Sequence, residues 1–449
     1  MARYVIDART LLHIVANGIQ LSPRHQIVAP NVIRSQALSL LFEAVRKGEL
    51  TEALALVHHE RLTELKMRLL GDRVSRRTAW RFAREQNWDT TYDAEFLAVT
   101  QLQAADATHF IARPIERRIR LTGVPFISHW LVAVSYPPIR PFDSGLLAMP
   151  DGNQIYWELS GNPRGKPALF LHGGPGSGLG AGGYRSNFDP ERYLIVGIDQ
   201  RGCGRSRPLV IDSLDQISSN TTQAVIADIE AVRMHLNLDR WLLCGISWGT
   251  TLALAYALTH PDRVTQMILA AVTTTSRAEV DWITETVGRI FPEAWARFEA
   301  HSGRRPGERV VEAYARRLAQ GDIEDRRRAA QDWDHWESVH VSLDPNWHPG
   351  ALHEDPVRRL VFATLVTHYW AHDGFLPSGG HAILERVGEL ADIPAVLIHG
   401  RRDVSGPSVT PWLLHQSWTA SDLVIIESEG HGGPVTTEAL CLASDAFAR

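Results

Sequence analysis

One serine in this chain sits where a nucleophile can be made. Gly245-Ile246-Ser247-Trp248-Gly249 follows the apolar run Trp241–Cys244 and precedes the helix-like run Thr250–Leu258. In a strand, sharp turn, helix context, a Gly-x-Ser-x-Gly turn lifts a hydroxyl clear of the sheet edge; side chains at the glycine positions would crowd the helix against the strand. A serine hydroxyl needs a base to take its proton and a third group to orient that base. Both follow in chain order. Ile393–His399 reads as a buried strand ending in Gly400-Arg401-Arg402-Asp403, and Leu423–Ile426 as another, followed by Glu427-Ser428-Glu429-Gly430-His431-Gly432-Gly433. Each loop lies just past the carboxyl end of a strand, where open α/β sheets place their chemistry. Taken singly, Asp403 reads as a cap for a helix starting near Ser408, and His431 as one of 20 histidines. Order and context together make them a triad: Ser247 nucleophile, His431 general base and acid, Asp403 orienter of the imidazole.

Acyl transfer also needs backbone N–H groups aimed at the developing oxyanion. One is expected from Trp248, the residue after the nucleophile. The other is expected from the loop His172-Gly173-Gly174-Pro175-Gly176-Ser177-Gly178, which follows the strand-like run Ala168–Leu171. Gly174 is the preferred donor, with Gly173 as the alternative. No Lys-Ser/Thr pair follows these glycines, which argues against a phosphate-binding loop.

Several motifs in order carry a resemblance. Tyr136-Pro137-Pro138-Ile139 with Asp143-Ser144-Gly145, His172-Gly173-Gly174-Pro175-Gly176, Asp199-Gln200-Arg201-Gly202-Cys203-Gly204-Arg205-Ser206, Gly245 to Gly249, His399 to Asp403 and Gly430-His431 resemble the proline iminopeptidase family of α/β-hydrolases. The resemblance runs from about Tyr136 to the C-terminus. It implies an α/β-hydrolase fold over about 142–449 with a helical cap over about 276–385, and release of an N-terminal residue, usually proline, from a peptide or small amide. Ser247, Asp403 and His431 fall on the family's triad positions. The family's Trp-x-x-Trp-Glu motif reads Trp333-Asp334-His335-Trp336-Glu337 here, which makes Glu337 the expected partner of the substrate's ammonium; a carboxylate suits a positive charge. A second amine-binding glutamate is expected in Ala363–Trp370, and Val366 stands at the matching position. The departure leaves open a changed aminopeptidase, amidase or esterase specificity. No cofactor is implied.

The elements that must position these residues account for two-thirds of 449 residues. Residues 1–128 read as a separate small α/β domain, joined by an extended, proline-rich stretch at 129–141. Arg3–Ile6 reads as a strand delivering Asp7. Val32–Lys47, with Leu38, Leu41, Ala44 and Val45 at helical spacing, and Leu50–Leu70 read as helices. A third helix starts near Thr90 or Thr91, and Thr108–Ala112 reads as a strand. This segment resembles the PIN-domain ribonucleases, in which carboxylates from separate elements converge on Mg²⁺ or Mn²⁺. Asp7 and Tyr92-Asp93-Ala94 match two of that family's acids. Gln36 stands where a third is expected, and Arg113 and Pro114 where the fourth is expected. A degenerate PIN-like module is the expectation, with Asp7 and Asp93 as weak metal candidates; the alternative is a metal-dependent RNase or RNA-binding module.

Composition sets the remaining bounds. Hydrophobic residues at 44% and charged residues at 22% describe an ordinary globular protein. A net charge of −5 gives no global attraction to nucleic acid. Three cysteines without metal-ligand spacing argue against a disulfide framework. Cys203 and Cys244 read as packing residues; were Cys203 in the cleft, thiol reagents would block activity. No run of 18 apolar residues suggests a membrane span, and the first residues lack the pattern of a secretory signal. A cytoplasmic enzyme is the expectation.

Overall fold

The computed structural model describes residues 2–16, 25–47, 50–85, 90–103, 108–111, 135–341, 343, 355–377 and 381–448. The chain forms two compact units, Met1–Val132 and Ala133–Arg449. Most of the expected linker lies outside the described residues. Its last part, 135–141, belongs with the second unit: the Tyr136 N–H donates to Ser186 O at 2.8 Å and its hydroxyl donates to Asp445 at 2.5 Å.

The first unit contains β1 (Ala2–Ile6), α1 (Ala8–Ala16), β2 (His25–Pro30), α2 (Ile33–Arg46), α3 (Glu52–Glu64), β3 (Arg68–Leu70), α4 (Arg73–Glu85), α5 (Tyr92–Gln103) and β4 (Thr108–Ile111). Its sheet is parallel throughout, in the order β3-β2-β1-β4. Val5, Ile6, Val28, Leu11, Leu62 and Phe96 join strands and helices in one apolar core. The helix expected over Leu50–Leu70 ends early, because Arg68–Leu70 is captured as a strand by Val28–Pro30. Sheet pairing overrides local helical preference here. The inward face of α2 is Ile33, Ala37 and Leu41, while Leu38 is 47% exposed. Helix α4 had no counterpart in the sequence reading. Asp7 ends β1, and its Oδ1 accepts the Thr10 N–H at 2.7 Å, capping α1.

The second unit is built on an eight-stranded sheet. Its elements are β5 (Asp143–Ala148), β6 (Gln154–Gly161), β7 (Lys166–Leu171), β8 (Tyr193–Asp199), α6 (Thr222–His235), β9 (Trp241–Ile246), α7 (Trp248–Thr259), β10 (Val264–Ala270), α8 (Arg277–Asp281), α9 (Pro292–Ser302), α10 (Val310–Gln320), α11 (Ile323–His340), α12 (Pro356–Ala371), α13 (His381–Arg386), β11 (Ala395–Gly400), α14 (Val409–Ser417), β12 (Ser421–Ile426) and α15 (Pro434–Phe447). The order is β12-β11-β10-β9-β7-β8-β6-β5, parallel except where β6 pairs with β5 and β8. Every residue of β8 is buried, and β9 is buried through Gly245. Strands covered by helices on both faces must read as continuous apolar runs, and these do.

Between β10 and β11 the chain leaves the sheet to form α8–α13. The cap has its own core, in which Phe298 stacks on Tyr314 at 4.6 Å and on Trp336 at 5.1 Å between ring centres. Such pairs add roughly 0.5–1.5 kcal/mol each beyond their buried area. At the start of the cap, Arg277 pairs with Asp373, just past α12, at 2.6 Å. No helix among the described residues is long and apolar enough to cross a membrane.

The crossing of α7 over β7 and β9 leaves no room for a side chain. A Cβ on Gly249 would lie 2.1 Å from Leu171 O, and one on Gly245 2.3 Å from Gly249 O. Backbone cannot yield as a side chain can. Gly249→Ala is expected to cost more than about 2 kcal/mol, or to abolish soluble expression. Thermal unfolding checks this, and a wild-type melting temperature would contradict it.

Candidate active site

Ser247 stands between β9 and α7 with φ 57° and ψ −124°. A positive φ is uncommon for a residue carrying a Cβ and costs roughly 1–3 kcal/mol. Helix α7 holds it in place: ten of its twelve residues, Trp248 to Ala257, are buried. Burying one large apolar side chain is worth about 1.5–3 kcal/mol, so Leu252, Leu254 and Tyr256 together outweigh the strain. The Ser247 N–H donates to Ala270 O at 3.0 Å, and the Thr250 N–H donates to Ser247 O at 2.7 Å. Both peptide groups around the nucleophile are thereby fixed.

The three expected triad residues meet. His431 Nε2 lies 3.0 Å from Ser247 Oγ, and His431 Nδ1 lies 2.7 Å from Asp403 Oδ2. Nδ1–H donates to the carboxylate, leaving Nε2 free to accept the serine proton. Two loops bring the acid and base together. The Arg402 N–H donates to Glu429 O at 2.9 Å, and the Gly406 N–H donates to Asp403 Oδ1 at 3.0 Å. Glu429 in turn accepts from the Val435 and Thr436 N–H groups at 2.7 and 2.8 Å, capping α15 and anchoring the His431 loop. Burial opposes ionisation of Asp403, but the charge and hydrogen bond of His431 outweigh it and hold the carboxyl below its ordinary range. For His431, burial disfavours the imidazolium, while Asp403 more than compensates and raises its pKa. The pair is set to accept a proton during acylation.

Sequence reading missed the support behind this pair. The Val272 N–H donates to His399 Nδ1 at 3.0 Å, so His399 Nε2–H donates to Gly406 O at 2.6 Å. His399 thereby tethers the Asp403 loop to the end of β10. The sequence placed His399 at the end of a strand, and nothing in its spacing named these partners.

Gly173, Gly174, Ser247, Trp248 and His431 all line a cavity of about 330 Å³ under the cap. Trp248 is the first residue of α7, where a backbone N–H has no intrahelical acceptor and the helix dipole favours negative charge. Gly174 takes φ 111°, and a Cβ there would meet Gly176 N at 2.6 Å. Both expected oxyanion donors therefore border the same space as Ser247 Oγ. Cys203 does not. It is fully buried, with Sγ 3.2 Å from Gln200 O, and burial pushes its thiol well above the ordinary range. Block of the cleft through Cys203 is ruled out by this placement.

The cap supplies the rest of the cavity wall. Glu337 lines it, as do Asp334, His340, Arg359, Glu279 and Ser405. Burial pushes the Glu337 carboxyl up to about 8, against a downward pull from His431. Val366, where a second glutamate was expected, is fully buried in the cap's apolar cluster with Trp333 and Trp336. The wall also carries Asp334, three residues before Glu337 on α11 and paired with Arg359 at 3.1 Å. Glu279 is already saturated by Thr274, Ser276 and Thr410. Asp334 carried no recognisable sequence signal, because α11 is rich in charged residues, and Arg359 is one of two adjacent arginines in the first turn of the otherwise largely apolar α12.

Among the described residues no group of three or more His, Cys, Asp or Glu is placed to hold a metal ion. Asp7 sits at the end of β1, Gln36 in the first turn of α2 and Asp93 in the first turn of α5. Arg113 and Pro114 lie outside the described residues.

Ser247→Ala is expected to abolish turnover, and Asp403→Asn to lower kcat by about 10⁴ while leaving the fold intact. Activity is expected to fall as pH drops through the raised pKa of His431, since only the neutral ring accepts the serine proton. Steady-state kinetics of the two variants and a pH–rate profile check this; an Asp403→Asn enzyme within tenfold of wild type would contradict the assigned roles.

Residues 166–435 match the family model described as alpha/beta hydrolase fold. A protein of Streptomyces coelicolor named "Probable proline iminopeptidase" is 44% identical over 323 residues, covering 70% of this chain and 98% of that relative. The "Proline iminopeptidase" of Arabidopsis thaliana is 40% identical over 298 residues, covering 66% of this chain and 77% of the relative. Among solved structures, VinJ aligns over 69% of this chain and 99% of its own with a TM-score of 0.50 at 15% identity, a likeness of fold alone. With a relative at 44% identity matched along nearly its whole length, the chain belongs to the proline iminopeptidase family of α/β hydrolases.

Proposed function

We propose that this protein is a serine exopeptidase that releases N-terminal proline, or another small residue, from peptides through an acyl-enzyme on Ser247. The observation that carries the reading is the presence of Glu337 in the same capped cavity as Ser247 and His431. A carboxyl in that position has one evident use, which is to meet the substrate's ammonium. Ser247 Oγ attacks the carbonyl of the first residue as His431 Nε2 takes its proton. The N–H groups of Trp248 and Gly174 receive the oxyanion. The imidazolium, steadied by Asp403, returns the proton to the leaving amine. Water activated by His431 then attacks the acyl-enzyme and frees the amino acid. Anchoring the amine beside the nucleophile limits cleavage to the first peptide bond. The names of the Streptomyces and Arabidopsis relatives agree with this substrate class. The second reading keeps the triad and changes the substrate to another amide or an ester; the buried Val366 favours it.

For residues 1–128 we propose a degenerate PIN-like module in a cytoplasmic protein. The parallel four-stranded sheet, with Asp7 at a strand end and Asp93 opening a helix, supports this reading. Asp7 is occupied as a cap of α1, and Gln36 cannot serve as a carboxylate ligand. The module is expected not to cleave RNA with Mn²⁺; cleavage that Asp7→Asn abolishes and Ser247→Ala spares would overturn its degeneracy.

Hydrolysis of prolyl, alanyl and N-blocked prolyl chromogenic amides tests the main reading. Ser247-dependent cleavage of the free prolyl amide, with the blocked compound at least about 100-fold slower, is expected from loss of a charge-assisted contact. Equal cleavage of the blocked compound would favour the amidase or esterase reading. The pH dependence carries a second sign. Glu337 is largely neutral below about 8, so kcat/KM for the free amine should keep rising as pH approaches that value. Glu337→Gln should remove this rise and raise KM by about tenfold or more, while the His431 limb persists. A Glu337→Gln enzyme with unchanged KM and pH profile would contradict the amine-anchor role.

A further inference from the structure

The oxyanion donors belong to two segments remote in sequence, and something must hold both. Gln200, just past the end of β8, touches the supports of each. Its backbone N–H donates to His172 Nε2 at 3.1 Å, and its side-chain Nε2 donates to His172 O at 3.0 Å. Its Oε1 accepts the indole N–H of Trp248 at 3.0 Å. The amide orientation is forced, because an indole N–H can only donate. Gln200 and Trp248 are both buried.

These contacts reach the donors through the backbone. Because His172 Nε2 accepts from Gln200, its Nδ1 carries the proton and donates to Gly173 O at 3.0 Å. The Ser177 N–H also approaches that carbonyl, at 3.4 Å. In a trans peptide the N–H points opposite to the C=O. With Gly173 O held toward the His172 ring, the Gly174 N–H is turned away from it. Burial keeps His172 neutral, as this arrangement requires. On the other side, Trp248 is pinned by Gln200 at its indole nitrogen and by an edge contact from Tyr369 at 4.9 Å between ring centres. Gln200 is itself anchored by its neighbours: Asp199 accepts from the Leu179 and Arg205 N–H groups at 2.6 and 2.9 Å, and Arg201 forms a two-pronged pair with buried Asp228 at 2.7 Å.

We infer that Gln200 is a positioning residue of the oxyanion hole, holding the His172–Gly174 loop and Trp248 in register so that their two N–H groups converge on one oxygen. It does not touch the substrate. A glutamate there would present an acceptor to His172 O, and a leucine would break both side-chain bonds while filling similar space.

The inference rests on the acyl-transfer reading of the site, and the test separates the two. Gln200→Leu, Gln200→Glu and Trp248→Phe are compared with wild type in three readouts: kcat and KM on prolyl amide, the rate at which a fluorophosphonate labels Ser247, and melting temperature. The labelling reaction loads the same oxyanion hole without requiring a peptide substrate. Gln200→Leu and Gln200→Glu are expected to lower kcat and the labelling rate together by about 10- to 100-fold, with KM changed less than about threefold. Trp248→Phe, which removes the indole donor and part of the buried ring but leaves the bonds between Gln200 and His172, should cost less in labelling rate, and its effect should not add fully to that of Gln200→Leu. Failure of wild type to cleave prolyl amide while Ser247 is still labelled would sink the peptidase reading and leave labelling to decide on Gln200. Labelling rates within about twofold of wild type in both Gln200 variants would overturn the inference, as would losses that merely track melting temperature. If Gln200→Leu does not fold, the near-isosteric Gln200→Glu and Trp248→Phe carry the same comparison.

Discussion

The site depends on one backbone constraint, the left-handed turn at Ser247. It can exist only because Gly245 and Gly249 let α7 start almost in contact with β7 and β9, and because the buried body of α7 outweighs the strain. Once Ser247 is lifted out of the sheet, the geometry around it follows. The first N–H of α7, which has no intrahelical acceptor, borders the cavity beside Ser247, the hydroxyl faces the ends of β11 and β12, and the loops after those strands need carry only an acid and a base.

Charge is distributed around this turn with little to spare. Asp403 is buried, yet His431 and the Gly406 N–H keep it ionised. His399 and His172 are buried and neutral, and each is fixed in one tautomer by a backbone donor. These rings serve as rigid struts between loops. Glu337 differs: burial holds it near neutrality until a cation arrives. On the proposed function, the ammonium of a free-amine substrate is the charge that would let this carboxyl ionise.

The triad was legible because each member sits at a strand end inside a short motif, and the chain order of the three is restrictive. The placement of Gly174 and Trp248 beside Ser247 was legible for the same reason. What the sequence hid were partnerships across long separations. Gln200 lay in plain view within Asp199–Ser206, but its bonds to His172 and Trp248 exist only once β7, β8 and β9 are side by side. The pairing of Asp334 with Arg359 depends on how α11 packs on α12, and their charges look like any solvated helix face. In the first unit, the helix read through Leu70 gave way to β3 because an available strand edge outweighed local preference. Where the resemblance led to a second amine-binding acid, Val366 fills the cap's core; the other acids on the cavity wall, Asp334 and Glu279, are already held by partners of their own.

The central claim is that a free amine, read in the cavity, directs Ser247 to the adjacent carbonyl. The most direct test is competitive labelling with a proline-derived phosphonate ester in its free-amine and N-acetylated forms, located by peptide mass spectrometry. The account predicts modification of Ser247, at least about tenfold faster with the free amine, with the difference lost in Glu337→Gln. Equal rates for the two forms, or modification at another residue, would contradict it.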